Sequence, residues 1–369
     1  MSEIDRKKIV FVLPALVAGG AERVLITLMN GLDRDRYEPS LISVSAQGPL
    51  ADMIDPAINF YTLSEDGKIP KNMWKLLRKL QELKPDVIVS TMAPMNFAVL
   101  VLRPLFPRTK FIVREAITPS YFFERGGLRA FLIRLLYKTL YPLAVRVISP
   151  ARLIINEFET TLTMNTRKHR LLPNPVNMKQ VRAQADENFK NHDAQRTVVN
   201  FVAAGRLHYQ KGFDRVIKAA LDLPRTVDWT LTILGEGEER RHLLKMIEAY
   251  NLKDRVKLPG LERNPWPFYA QADAFLLPSR SEGLPNVVLE ALACGTPVIA
   301  TREAGGIDDI AREAAPYTLT VVDTMEDFTK AMAQITPVPY PCFRPSLLPP
   351  VYELDSVVKQ FSAMIEDLF

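Results

Sequence analysis

Short apolar runs alternate along the chain with longer stretches whose apolar positions recur at helical spacing. Lys8 to Pro14 reads as a first strand, Ala21 to Gly31 as a helix and Tyr37 to Ser45 as a second strand. Asn72 to Leu83 is a helical pattern leading into a strand at Asp86 to Thr91. A strand at Thr109 to Glu115, a long apolar and basic helix around Leu128 to Tyr141 and a strand at Val145 to Ser149 follow. Such alternation predicts an α/β fold with a doubly wound parallel sheet, because parallel neighbours need a crossover, usually helical. The pattern stops at Asn174-Pro175-Val176, and residues 178–196 are polar, charged and without strong apolar periodicity, as in a linker. It restarts with a strand at Thr197 to Ala204, a helix at Phe213 to Leu221, a strand at Trp229 to Leu234 and a helix at Glu238 to Tyr250. Asp273 to Pro278, Pro285 to Cys294 and Pro297 to Thr301 add a strand, a helix and a strand.

Two similar α/β domains in tandem are therefore expected, over residues 1–177 and 197–350. The length of 369 residues agrees, since single cores stop growing at roughly 250–300 residues. Pro337 to Pro350 holds six prolines, which excludes a central strand or helix and predicts a semi-rigid strap. Beyond it, Leu354, Val357, Val358, Phe361, Met364, Ile365 and Leu368 recur at helical spacing. This last helix, within 351–369, is expected to cross back toward the first domain.

Composition narrows the class. Apolar residues make up 47% and charged residues 24%, ordinary globular usage that excludes disordered and fibrous chains. No apolar run approaches the roughly 18 residues that span a bilayer. The charged start, Met1 to Lys8, lacks a following cleavage pattern, so Ile9 to Ala18 reads as a strand rather than a signal peptide. Cys294 and Cys342 give neither a disulfide framework nor metal-ligand spacing, and a cytoplasmic location is expected. The net charge of +5 is unevenly divided: residues 1–177 carry 25 Lys and Arg against 16 Asp and Glu, the remainder 22 against 26. A basic first half favours an anionic membrane surface, a lipid phosphate or nucleic acid, although solubility alone also accounts for it.

Candidate chemistry gathers where strands end. The segment Ser279 to Pro297 runs from a loop carrying Glu282 into a helix carrying Glu290, with Pro285 suited to the first helical turn and Gly295 to the position past its end. Ligands in open α/β sheets bind beyond the carboxyl ends of strands, and a helix N-terminus there favours a diphosphate. Glu282 is then placed for sugar hydroxyls and Glu290 for ribose, unless Glu282 merely caps the helix and Glu290 faces water. Arg206 and Lys211 lie on the glycine-bounded loop Gly205 to Phe213. They suit a departing nucleoside diphosphate, or are two solvated cations. Ala18-Gly19-Gly20-Ala21-Glu22-Arg23, between the first strand and helix, either brings backbone close to a ligand or forms a tight turn.

In this order, Gly19-Gly20-Ala21-Glu22-Arg23, the Gly205 to Phe213 loop, Gly235-Glu236-Gly237 and the Glu282 to Glu290 segment resemble glycosyltransferase family 4, the retaining group 1 glycosyltransferases. The resemblance covers most of the chain. It implies a GT-B fold, two Rossmann-like domains facing a cleft, with a nucleotide-sugar held mainly by the second domain. It implies a hexosyltransferase acting with retention and using neither a cofactor nor a metal ion. By motif, Arg206 and Lys211 hold the diphosphate. Glu282, Gly283 and the amides around Leu284, Asn286 and Val287 hold sugar and phosphate, and Glu290 holds the ribose. Gly235 belongs to the donor loop set, Gly19 and Gly20 approach the phosphate from the first domain, and Glu262, within Gly260 to Arg263, falls where the nucleobase is met through backbone.

Retention in this family is attributed to front-face displacement, so no carboxylate nucleophile is required. Many relatives carry a histidine in the first domain, but this chain has only His169, His192, His208 and His242. Arg114 and Glu115 stand at the corresponding place, resembling the acidic and basic pair of some polysaccharide-assembly members or forming a buried salt bridge. Asp33-Arg34-Asp35 matches a metal-binding D-x-D pattern, but its place between the first helix and second strand favours a solvated turn.

On the acceptor side, Arg129, Arg134 and Lys138 accompany Phe131, Leu132, Leu135 and Leu136. Such a helix either docks on an anionic membrane or completes the core. The expected reaction moves a hexose or N-acetylhexosamine from a UDP-sugar, with GDP behind it, to a lipid-linked or surface-polysaccharide glycan at the cytoplasmic face of the inner membrane. The alternative is a sugar-nucleotide epimerase of the same fold or a non-transferring sugar-nucleotide-binding protein. Epimerases need acid and base residues in the cleft, and the histidine-poor first domain speaks against them. Nucleic acid lacks a recognition motif.

Overall fold

The computed structural model describes residues 6–17, 19–45, 48–64, 67–123, 126–186, 197–338 and 344–369. Ala18, His192, Cys342, the second half of the expected linker and the middle of the proline-rich strap lie outside those residues. The chain forms two compact units, Met1–Pro175 with Leu354–Phe369, and Val176–Glu353.

In the first unit seven parallel strands, β1 (Lys7–Leu13), β2 (Tyr37–Ser45), β3 (Asn59–Ser64), β4 (Val87–Thr91), β5 (Lys110–Arg114), β6 (Arg146–Ser149) and β7 (His169–Leu171), are ordered 3-2-1-4-5-6-7. Helices α1 (Gly20–Asn30), α2 (Ile69–Leu83), α3 (Ala93–Val101), α4 (Gly127–Leu140) and α5 (Arg152–Thr160) make the crossovers. The central strands β1, β4 and β5 are largely buried because both faces are covered. The final helix of the chain, Leu354–Glu366, adds Val357, Phe361 and Ile365 to the core built on β1 and α1. The Phe361 ring lies 6.3 Å from that of Phe11.

The second unit opens with α6 (Met178–Asp186) and continues with β8 (Val199–Ala204), α7 (Phe213–Leu221), β9 (Trp229–Leu234), α8 (Arg240–Ala249) and β10 (Val256–Gly260). After them come α9 (Trp266–Gln271), β11 (Ala274–Leu277), α10 (Asn286–Ala293), β12 (Val298–Thr301), α11 (Ile307–Glu313), β13 (Leu319–Val322) and α12 (Met325–Ala333), and the chain's final helix is α13. Its parallel strands are ordered β10-β9-β8-β11-β12-β13.

The expected linker is corrected by α6. Asn177 Oδ1 accepts the Gln180 N–H at 3.1 Å and starts the helix, which packs on α9 and α10. Arg182 donates to the Ala293 and Arg344 carbonyls at 3.1 and 2.9 Å, covering the C-terminal end of α10. The described part of the strap is fixed on the same unit, with Arg344 donating to Ala272 O and Thr296 Oγ1 and the Leu347 N–H to Leu292 O. Of the elements missing from the sequence pattern, β7 and β13 are short and α3 is apolar apart from Asn96, so these carry no clear periodicity, whereas α5 and α12 are amphipathic and were legible.

Strand order reverses between β1 and β4 in one unit and between β8 and β11 in the other. Connections leaving such a pair diverge, which opens a crevice at the carboxyl edge of the sheet.

Candidate active site

The second unit's switch point carries Lys211 and Glu282. Lys211 lies on the loop after β8 and Glu282 on the loop after β11, the two strands where the order reverses. Lys211 Nζ donates to Glu282 Oε1 at 2.6 Å and Ser279 Oγ donates to the same oxygen at 2.8 Å. Glu282 is only 9% exposed, and its Oε2 takes no partner among the described residues. It does not cap α10, which has no side-chain cap and begins four residues beyond it, so the positive end of the helix lies close in the chain to the carboxylate.

Both loops are held by close backbone contacts. Gly212 has φ +69°, and a Cβ there would lie 2.1 Å from the Pro278 carbonyl oxygen, so this junction requires glycine. Gly305, at φ +66°, comes equally close to the Glu282 carbonyl, while the Gly306 N–H donates to Gly283 O at 2.9 Å. Arg280 forks onto Asp214 at 2.8 and 2.7 Å and stacks on the Tyr209 ring, joining the loops once more. Burial raises the Asp214 pKa, but the Arg280 hydrogen bonds and charge outweigh it and hold the carboxyl below its ordinary value. Arg206 is exposed and makes no side-chain hydrogen bond or ion pair among the described residues.

Glu290 sits one turn beyond Asn286 and Val287 on α10 and is half-buried. The Trp266 indole donates to its Oε2 at 3.3 Å, so Glu290 is not an ordinary water-facing helical residue. Leu284 is buried at the entry to α10. Gly235 follows β9 directly, with its N–H on Gly260 O at 2.7 Å, and Glu262 is half-buried just after β10. Sequence reasoning missed Ser279, Trp266 and the Gly305-Gly306 pair. The adjacent glycines between β12 and α11 carried a legible signal.

Gly19, Gly20, Arg114 and Glu115 belong to the first unit. A Cβ on Gly19 would lie 2.1 Å from Glu22 Oε2, so the loop folds onto the buried Glu22 carboxylate. Alternation along the chain sends Arg114 and Glu115 to different hydrogen-bond partners, which corrects the reading of a mutual salt bridge. Arg114 donates to Asn174 Oδ1 at 2.6 Å and to Thr91 Oγ1 at 3.3 Å. Burial lowers its pKa to about 10 against the charges of Glu115 and Glu22. Glu115 is fully buried, and its Oε2 accepts from the Tyr141 and Tyr137 hydroxyls. Its pKa is pushed up to about 8 by burial, against those two hydrogen bonds and the Arg114 charge.

Arg129, Arg134 and Lys138 are exposed on α4, with Arg134 over the Phe123 ring at 4.7 Å. Leu128 and Phe131 are 74% and 63% exposed, and Leu132, Leu135 and Leu136 are exposed as well. Only Ala130 and Tyr137 of α4 are buried, so its apolar row does not complete the core. Asp33 Oδ1 accepts the Asp35 N–H at 2.9 Å in a turn preceding β2, far along the strand from the carboxyl edge. Among the described residues, no cluster of acidic, histidine or cysteine side chains has metal-holding geometry, and no helix is long and apolar enough to cross a membrane.

Comparison with known proteins joins these observations. The family described as glycosyl transferases group 1 matches residues 184–337, and glycosyltransferase family 4 matches residues 18–180. An uncharacterized glycosyltransferase of Haemophilus influenzae is 25% identical, the match covering 87% of this chain and 88% of that one. A Campylobacter jejuni protein is 26% identical over 80% of this chain and 81% of its own. It is named as an N-acetylgalactosamine-N,N'-diacetylbacillosaminyl-diphospho-undecaprenol 4-alpha-N-acetylgalactosaminyltransferase. Among solved structures, HepE of Anabaena in complex with UDP superposes with a TM-score of 0.75 at 18% identity, covering 98% of this chain and all of that one, a likeness of fold. With one family matched on each unit and both motif sets in place, the chain belongs to the family 4, group 1 glycosyltransferases and is a glycosyltransferase of two Rossmann-like domains.

Proposed function

We propose that the chain moves a hexosyl or N-acetylhexosaminyl group, with retention, from a nucleotide-sugar to a lipid-linked or surface-polysaccharide glycan. UDP is the preferred nucleotide, ahead of GDP, and no metal ion takes part. The observation that carries this reading is the Lys211–Glu282 pair at the β8/β11 switch point, beside the uncapped start of α10. Glu282 Oε2 accepts a sugar hydroxyl. Lys211, Arg206 and the amides of Asn286 and Val287 receive the diphosphate. Glu290, oriented by Trp266, accepts from the ribose.

The bond from the anomeric carbon to the diphosphate oxygen breaks while the acceptor hydroxyl oxygen bonds to that carbon on the same face. The hydroxyl proton passes to the departing phosphate. Glycosylated acceptor and nucleoside diphosphate result, so the residues act by placing charge where it develops. UDP bound to HepE supports the choice of base, and the diphospho-undecaprenol in the name of the Campylobacter jejuni relative supports a lipid-linked acceptor. The exposed apolar and basic face of α4 fits peripheral docking on the anionic cytoplasmic leaflet.

The test is a panel of UDP-, GDP- and ADP-sugars incubated with the protein and lipid extract, with and without chelator. Free nucleoside diphosphate appears in the presence of chelator, and the new linkage keeps the donor's anomeric configuration. Turnover that stops with chelator, an inverted product, or mere isomerisation of the donor each contradicts the reading.

A further inference from the structure

Away from the carboxyl edge, the first unit holds a cavity of about 500 Å³ where the last turn of α4 meets the amino ends of β6 and β7. Lys138, Arg167 and Lys168 line it together with Thr163 and His169, and no carboxylate is among its lining residues. Lys168 is fixed by the Pro142 and Ala144 carbonyls at 2.6 and 3.1 Å. Lys138 and Arg167 are exposed, and their side chains have no hydrogen bond or ion pair among the described residues.

Two further features mark the place. His169 is 8% exposed and its Nδ1 has no partner among the described residues. Burial lowers its pKa to about 4, against the charge of nearby Glu159. Thr163 has φ +53°, a conformation that a β-branched residue keeps only where its surroundings enforce it. Neither feature serves the sheet, which uses only the backbone of His169, and neither lies at the carboxyl edge.

The cavity also adjoins the exposed apolar row of α4, with Leu143, 40% exposed, just beyond that helix. A soluble phosphate ester would answer the cations but leave that row against water. A lipid answers both, since its phosphate meets the cations and its acyl boundary covers the leucines. We propose that this cavity seats the phosphate of an anionic phospholipid headgroup, with the apolar row of α4 in the adjoining acyl boundary. This rests on the membrane docking proposed above and gives it a specific anchor. α4 leaves the carboxyl end of β5 and returns to the amino end of β6, about 21 Å at 1.5 Å per residue. A headgroup held at its last turn aligns the helix with the bilayer and keeps its first turn, toward the carboxyl edge, at the lipid surface.

The experiment is flotation of the full chain with vesicles of phosphatidylcholine alone or mixed with phosphatidylglycerol, for the wild type, Lys138→Glu/Arg167→Glu and Leu132→Asp/Leu135→Asp, all checked by thermal melting. Wild type binds the anionic vesicles only. The charge-reversal variant binds them at least ~10-fold more weakly, at roughly 1 kcal/mol per basic residue near the surface, and the Asp variant does not bind. Dihexanoyl phosphatidylglycerol raises the pKa of the His169 imidazole signal, assigned by its loss in His169→Gln. A wild type that ignores all vesicles ends membrane docking and the seat with it. Equal binding by wild type and the charge-reversal variant leaves docking standing and overturns the seat. A His169 response to glycerol 3-phosphate equal to that with the short-chain lipid identifies a soluble-ester site instead, and likewise overturns the proposal.

Discussion

Replacing Glu282 by Gln isolates charge from shape. The amide keeps a carbonyl oxygen where Lys211 and Ser279 donate at 2.6 and 2.8 Å, so the loops retain their contact, but a mostly buried ion pair is lost and stability is expected to fall by about 1–3 kcal/mol. The negative charge on Oε2 is lost. Hydrogen bonds to charged groups contribute about 1.5–3 kcal/mol, those between neutral groups about 0.5–1.5. A sugar hydroxyl resting on this oxygen therefore loses on the order of 1–2 kcal/mol, roughly 5- to 30-fold in kcat/KM. Lys211 responds in the opposite sense: with its neutralising partner gone, its charge acts more fully on the diphosphate. The gain is modest, because the Lys211 side chain is 21% exposed and solvent screens it. Affinity for nucleoside diphosphate alone therefore holds or tightens while transfer slows. Product release measured against donor concentration gives kcat and KM, and calorimetry with the diphosphate gives the second quantity. A fully active variant, or one whose diphosphate affinity falls in step with turnover, would show that Glu282 merely positions Lys211.

Arg206→Ala is expected to leave the melting temperature unchanged, since the side chain is exposed and unpaired among the described residues, and to lower kcat by about 10- to 100-fold if one charge-assisted contact to the leaving diphosphate is removed. Unaltered turnover would remove it from the site. Trp266→Phe deletes the donor that orients Glu290, so the donor KM rises about 5- to 10-fold with kcat within about twofold, and a selective fall in kcat would contradict the ribose role. Glu115→Gln tests a buried carboxyl whose folded pKa of about 8 lies above its ordinary 4.5. The native state then holds the proton more tightly than the unfolded chain, so this group's contribution is full below about pH 4.5 and falls as pH rises to about 8, by about 1.4 kcal/mol per unit at most. Denaturant melts should show the Gln variant gaining stability over wild type by a few kcal/mol at pH 8.5 and little at pH 4.5. Parallel stability profiles would refute that titration.

Two sheets, the switch-point loops and the last helix were legible because their signals are local. Lys211 and Glu282 each lie within a few residues of a strand end and a glycine, and the apolar spacing of Val357, Phe361 and Ile365 reports directly the face that meets α1 and β1. The expected linker misled because α6 is a polar helix whose buried side is narrow, only Val181 and Ala185. Its start was nonetheless written in Asn177 and Gln180, the spacing of a capping box. That the apolar row of α4 does not complete the core was not legible, since periodicity gives an apolar face without saying what covers it.

The first unit's charged centre was illegible for a different reason. Arg114 is held by Asn174, sixty residues away, by Thr91 on the neighbouring strand and by the field of Glu22 from the first helix. Glu115, its neighbour in sequence, is closed off by Tyr137 and Tyr141, whose approach depends on how α4 crosses back to β6. No spacing rule links these positions; only the parallel order β1-β4-β5-β6 brings them to one sheet end. Burial pulls the Arg114 pKa down and pushes that of Glu115 up, each shift opposed by the neighbouring groups. The second unit can therefore exchange single donor contacts while its loops stay clamped at Gly212 and Gly305. In the first unit a change at Arg114 or Asn174 leaves another buried polar group without its partner, and should cost stability before it alters specificity.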